Sequence, residues 1–218
     1  GVGPEVVVGL AVERHDFPVG LMAILAAGGT YLPLDPALPR SRRELLASSA
    51  GAALVLDHLP RAAATTLTPP APDQRAYVMF TSGTSGPPKG VEIEHGALAE
   101  RYVRSPYYDL LAPGDVLAAI TAVSWNPSVF EVLYTLASGA TIALADAHTL
   151  RDPAALAPFL DAHAVTFMRA VPSLWRALLD GGWRGKFDLK AICHGERLDP
   201  KLETELAACT ALELNTYG

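Results

Sequence analysis

The chain has 218 residues, with 17 basic and 23 acidic side chains, a net charge of -6, 50% hydrophobic and 18% charged residues. It is too apolar for a disordered segment, and without any Lys/Arg block it lacks the electrostatic footprint of a nucleic-acid binder. The longest apolar runs, 6–12 and 21–27, fall short of the ~20 residues that a membrane-spanning helix needs, and residue 1 opens no basic-then-apolar leader. Two cysteines, Cys193 and Cys209, are too few for a disulfide scaffold. One domain or two joined lobes in a reducing cytoplasm is expected, with small-molecule or protein partners and neither nucleic acid nor membrane.

Residues 6–12 form a continuous apolar run rich in β-branched side chains, which predicts a strand buried on both faces. A helix follows, capped by Asp16, with Pro18 in its first turn and Gly28-Gly29 as its stop. Residues 31–34 read as extended. Ser41-Arg42-Arg43-Glu44 reads as a capping box for a helix ending at Gly51, and 53–56 as a second buried strand. From 57 to 73 Pro, Ala and Thr dominate and predict a surface connection. Beyond it come a strand at 77–80, a Gly/Ser/Thr-rich loop to Gly90, a short strand at 91–94 and a helix through Tyr102. Strands are then expected at 116–121, 140–145, 165–168, 191–193 and 212–214, with helices at 128–136, 153–162, 173–179 and 200–207. This alternation predicts an α/β fold with mostly parallel sheets and flanking helices.

Ligands of open parallel sheets bind at the carboxyl ends of the strands, so the residues there carry the functional expectation. After Phe80 comes Thr81-Ser82-Gly83-Thr84-Ser85-Gly86-Pro87-Pro88-Lys89-Gly90. Ser124-Trp125-Asn126, Arg169, His194-Gly195-Glu196 and Asn215-Thr216-Tyr217-Gly218 follow four later strands. These five polar ends are expected to face one crevice.

The 81–90 loop combines glycines that let backbone N–H groups approach a ligand, four hydroxyls, and one lysine. That chemistry suits a polyphosphate. It is not G-x-x-x-x-G-K-[ST], because the glycines are wrongly spaced before Lys89 and Gly90 stands where Ser or Thr should be. A plain glycine linker needs neither the lysine nor Pro87-Pro88. The loop resembles the TSG[ST][TS]GxPKG signature of adenylate-forming enzymes. Leu25-Ala26-Ala27-Gly28-Gly29-Thr30-Tyr31-Leu32-Pro33-Leu34-Asp35-Pro36 is similar to the LxAGGxYxPLDP segment of nonribosomal peptide synthetase adenylation domains.

The resemblance implies an enzyme in which a substrate carboxylate attacks the α-phosphate of magnesium ATP. The acyl-adenylate formed then passes its acyl group to the phosphopantetheine thiol of a carrier protein. It also implies that Thr81, Ser82, Gly83, Thr84, Ser85, Gly86 and Lys89 hold the β- and γ-phosphates, and that Gly195-Glu196 lies along the adenine. Asn215 and Tyr217 resemble the start of N-x-Y-G-P-T-E, whose tyrosine stacks on adenine. Since the sequence stops at Gly218, the expectation is part of the large N-terminal subdomain, with the C-terminal subdomain and its catalytic lysine absent. On that expectation 1–218 is a partial adenylation domain, with no catalytic residue of its own and incomplete for catalysis.

The acid pocket implied by the resemblance consists of Asn126, Pro127, Phe130, Arg169, Ile192, His194 and Thr216. Ser124-Trp125-Asn126-Pro127-Ser128-Val129-Phe130-Glu131 aligns with S-F-D-A-S-V-W-E, whose aspartate pairs with the substrate α-ammonium. With Asn126 there, a charge-assisted bond of about 1.5–3 kcal/mol gives way to a neutral one of about 1. A substrate without an α-amine is therefore expected, and aryl-acid-activating relatives also carry asparagine there. Asn126 equally suits a cap for the helix near Ser128. Arg169 suits a second carboxylate or a phenolate-like oxygen, or else a surface ion pair; His194 suits a substrate hydroxyl, or else the core. Glu131 reads as structural, closing a second capping box with Ser128.

Cys193 reads as core. No His/Cys spacing predicts a protein-built metal site, so magnesium is expected to arrive with ATP. An aryl-acid or acyl-CoA ligase and a noncatalytic adenylation module are the alternative readings.

Overall fold

The structure, a computed structural model, describes residues 1–60, 69–81, 88–104 and 108–216. The chain divides into two compact units, Gly1–Pro106 with Ala122–Asn126, and Tyr107–Thr121 with Pro127–Gly218. Both are α/β and mostly parallel, as expected.

The first unit runs β1 (Val7–Leu10), α1 (Phe17–Ala26), β2 (Thr30–Pro33), α2 (Arg40–Ser49), β3 (Leu54–Leu56), β4 (Arg75–Thr81), β5 (Lys89–Glu94) and α3 (His95–Arg104). Its sheet has the order β3-β1-β2-β4-β5, parallel except for the antiparallel β4/β5 pair. All of β1 and β2 is buried. One face sends Val7, Leu32 and Val78 against Leu46 of α2. On the other, Leu10 meets Gly20 of α1, and the rings of Phe17 and Tyr31 lie 6.1 Å apart. Gly28, at φ 78, turns the chain out of α1 in a conformation that a side chain resists.

Three local expectations change here. A 3-10 turn over Arg14–Asp16 holds Asp16 in a helical conformation, and its side chain makes no cap bond. Ser41 lies inside α2, which starts at Arg40 after Pro39, so no Ser41 capping box forms; an Arg40–Glu44 ion pair of 2.7 Å spans that turn instead. The 53–56 strand is an edge rather than a buried element, with Leu54 and Val55 exposed, because β1 offers it a partner on one side only. Residues 61–68 of the expected surface connection lie outside the described residues.

The second unit runs β6 (Val116–Ala119), α4 (Pro127–Ala137), β7 (Thr141–Leu144), α5 (Ala147–Arg151), α6 (Pro153–Ala162), β8 (Phe167–Ala170), α7 (Pro172–Asp180), β9 (Lys186–Cys193), α8 (Pro200–Ala207) and β10 (Thr210–Asn215). The order is β10-β9-β8-β6-β7, all parallel. Strand alternation divides the core. Ala118, Met168, Ala170, Ala191 and Cys193 pack with Leu160, Trp175 and Leu206, while Leu117, Ala119, Phe167 and Ile192 form the opposite face. Cys193 is fully buried and unbridged, the core position expected of it. Asp115 accepts from Lys190 at 2.9 Å, from Thr166 and from the Ala112 N–H. Burial alone would raise its pKa, but these donors together hold it below the usual carboxylate value.

The Ser128 capping box also gives way. Pro127 occupies the first position of α4 and pulls Ser128 inside the helix. The Glu131 carboxylate, 2% exposed, accepts from the backbone N–H of Thr121 at 3.1 Å and from its hydroxyl. Its role is structural, through β6's end rather than through a cap. The five strand ends do not share one sheet either, because antiparallel β5 closes the first and β6 starts the second.

Candidate functional site

Each unit carries its own part of the expected site. In the first, Thr81 ends β4 and faces Lys89, the first residue of β5, in the antiparallel register, its hydroxyl 3.5 Å from the Lys89 carbonyl. The phosphate-loop segment thus starts and ends on one rung of a hairpin, whereas a strand–loop–helix P-loop would leave the sheet. Ser82, Gly83, Thr84, Ser85 and Gly86 lie outside the described residues. Lys89 is exposed and has no ion pair among the described residues.

Asn126 belongs to this unit, immediately before Pro127. Its Oδ1 accepts from the Tyr77 hydroxyl at 2.6 Å. Tyr77 is 1% exposed. Beside Asn126 lies a cleft of about 490 Å3, lined also by Arg42, Phe80, Thr81, Ser124 and Trp125. Sequence reasoning missed Tyr77 and Arg42. Tyr77 stands 49 residues from its partner, and an apolar strand pattern hides its hydroxyl.

In the second unit the carboxyl ends of three neighbouring strands bring together Arg169, Ile192, His194 and Thr216. Arg169 pairs with Ile192 in the β8/β9 register, and the His194 N–H donates to Ala170 O. The N–H and hydroxyl of Thr216 both donate to Cys193 O, at 2.8 and 3.1 Å. Arg169 lies inside β8, one residue before its end, rather than just beyond the strand as expected. Among the described residues it makes no ion pair, and its buried Nε has no acceptor there. Arg169 and Phe130 line a cavity of about 10 Å3 with Phe167, at the lower limit for one water. The Phe130 ring stacks on Tyr134 at 4.9 Å.

Glu196 spends both carboxylate oxygens on Ser173, accepting from its N–H at 3.0 Å and its hydroxyl at 2.9 Å, which places an anion at the start of α7. Before it, Gly195 at φ 77 makes the turn that lets the chain leave β9. Asn215 ends β10 opposite Cys193; Tyr217 lies outside the described residues.

His194 is 6% exposed, and burial first, then the Arg169 charge, pushes its pKa down to about 4 against the pull of Glu196. The unfolded imidazole protonates near ~6.5. Between those values the unfolded chain binds more protons, so stability is full above pH ~6.5 and falls as pH drops toward ~4, by on the order of 3 kcal/mol. Urea midpoints of the chain at pH 7 and pH 5 should show that slope, and His194→Gln should flatten it; an unchanged slope removes His194 as the cause.

A family model described as AMP-binding enzyme matches residues 57–218. The chain belongs to the AMP-binding enzyme family. Along its whole length it is 37% identical to phosphinothricin tripeptide synthetase PhsB of Streptomyces viridochromogenes, covering 21% of that protein. It is 33% identical to the PKS-NRPS hybrid synthetase ATPKS of Aspergillus niger, covering 14% of it. Among solved structures, a four-domain nonribosomal peptide synthetase, AB3403, bound to AMP and glycine matches the whole chain with a TM-score of 0.87 at 28% identity, over 18% of that protein. The chain therefore spans about a fifth or less of these relatives. Every expected site residue of this AMP-binding enzyme lies inside the matched span. No helix among the described residues is long and apolar enough to cross a membrane. Among those residues no three His, Cys, Asp or Glu side chains gather into a cluster that could hold a metal ion.

Proposed function

We propose that the protein to which this chain belongs activates a carboxylic acid with ATP, releasing pyrophosphate and forming an acyl-adenylate. The acyl group then passes to the phosphopantetheine thiol of a carrier protein in nonribosomal peptide synthesis. The observation that carries the reading is the Thr81–Lys89 rung, which brings a hydroxyl and a cation to the two ends of a loop composed for phosphates. It sits inside the span matched by the AMP-binding family.

In this reading the 81–86 backbone and hydroxyls with Lys89 form a preorganised clamp on the β- and γ-phosphates, the leaving group of the first step. Gly195 and Glu196 border the adenine, with Asn215 and Tyr217 beside them, and Glu196 is held still by Ser173. Asn126, Pro127, Phe130, Arg169, Ile192, His194 and Thr216 contact the acid. Arg169 offers its guanidinium to a second carboxylate or phenolate-like oxygen, and the lack of an acceptor for its buried Nε among the described residues supports that role over a surface ion pair. Neutral His194 adds a hydrogen-bonding group without charge. Magnesium, carried in by ATP, would neutralise phosphate charge when bound.

The test is acid-dependent exchange of labelled pyrophosphate into ATP by the full-length protein, across amino, hydroxy, oxo and aryl acids. Exchange with at least one acid is expected. Silence from folded protein over the whole panel would remove the ligase reading and leave a noncatalytic module.

A further inference from the structure

We propose that Tyr77 orients the Asn126 amide so that the acid site selects a substrate with a hydrogen-bond acceptor, a hydroxyl or keto oxygen, beside its carboxylate and rejects the matching 2-ammonium acid. This rests on the assignment of Asn126 to the acid site made above.

A side-chain amide has one acceptor oxygen and an NH2 group with two donors. The Tyr77 hydroxyl takes the oxygen, at 2.6 Å. Tyr77 is buried within β4, so the strand fixes the place of its ring and with it the hydroxyl that donates to Asn126. The amide is thereby held with Oδ1 toward Tyr77. Because C=O and C–NH2 diverge from one carbon, the group left for a ligand is the NH2. An ammonium has donors only and would meet donors. The cleft that Asn126 lines makes this worse for a cation: its described lining includes the Arg42 guanidinium and the hydroxyls of Thr81 and Ser124, and no carboxylate. A cation desolvated there meets no anion among the described lining residues to offset the loss, whereas an acceptor oxygen satisfies the free N–H. Tyr77 is a positioning residue: it touches no substrate and acts through Asn126. Sequence alone reads Asn126 as a lost charge; the Tyr77 bond turns it into a donor with a set direction.

The experiment is pyrophosphate exchange by the full-length protein with acids matched in skeleton, each as its 2-hydroxy, 2-oxo, 2-amino and unsubstituted form, in aliphatic and aromatic series. Wild type should favour a 2-hydroxy or 2-oxo acid over the 2-amino acid by at least about tenfold in kcat/KM, and the two oxygen arms tell hydroxyl from keto. Tyr77→Phe keeps the ring and releases the amide, and should narrow that ratio by about tenfold, mainly through KM, since a freed amide can turn its oxygen to an ammonium. Asn126→Asp should invert it. A purely packing role for the Tyr77 hydroxyl would lower activity on all acids alike and leave the ratio unchanged, which overturns the proposal. So does a wild type that prefers the 2-amino acid, a result that needs no variant and leaves the ligase reading standing. Exchange with no acid at all removes the ligase reading, and this inference with it.

Discussion

Lys89→Ala in the full-length protein is expected to lower acid-dependent pyrophosphate exchange by about 10²–10³-fold, the scale of removing one preorganised donor from a developing anion. The fold should not notice. Lys89 is exposed at the start of β5 and makes no ion pair among the described residues, so its truncation should cost less than about 0.5 kcal/mol. The sheet at that point is held by the antiparallel pairing of β5 with β4, which the change leaves in place. A fall in kcat/KM for ATP with an unchanged melting temperature fits a phosphate clamp. Exchange preserved within about threefold would remove Lys89 from the clamp, and a large drop in melting temperature would make it a structural residue.

Glu131→Ala is expected to have the opposite profile, with a large effect on stability. The carboxylate serves two donors on Thr121, both ends of the contact being buried, and it ties the end of β6 to α4. Removing it leaves a backbone N–H and a hydroxyl without that acceptor and opens space in the core, a loss of about 3 kcal/mol. For a chain of this size that corresponds to roughly 6–12 °C in melting temperature. Glu131→Gln keeps one acceptor oxygen and should cost about half as much. Thermal unfolding of the 218-residue chain decides; a shift under about 1 °C for the alanine variant would show that the Thr121 contact carries no stability.

What could be read from sequence was local. The helices at 153–162 and 200–207 were placed to the residue, because each opens on a proline behind an aspartate whose carboxylate caps the first turn. The parallel α/β class followed from alternation. The structure pairs Thr81 with Lys89 on one rung, a pairing that the sequence did not predict, and sets Arg169, Ile192, His194 and Thr216 at or near the ends of neighbouring strands. What escaped depended on pairing across long separations. Strand order is not written in any single strand, so the division into two sheets and the edge status of β3 were hidden. Glu131 looked like a capping residue because its true partner, Thr121, is ten positions back across a loop. Tyr77 was one more apolar strand residue until its hydroxyl met Asn126. The short helix α5, fixed by Asp146 accepting from the Thr149 N–H, was too brief to leave a periodic pattern.

The assignment of residues 122–126 to the first unit, while the chain on both sides of them belongs to the second, bears on how this protein is made. A nascent chain emerging in order can pair β1 through β5 as soon as β5 is out, yet the segment holding Asn126 follows later, behind the first strand of the other unit. The first unit is therefore finished only after the second has begun. A gene cut at residue 106 would deliver a first half without its final segment, and a second half carrying five residues whose packing partners are on another molecule.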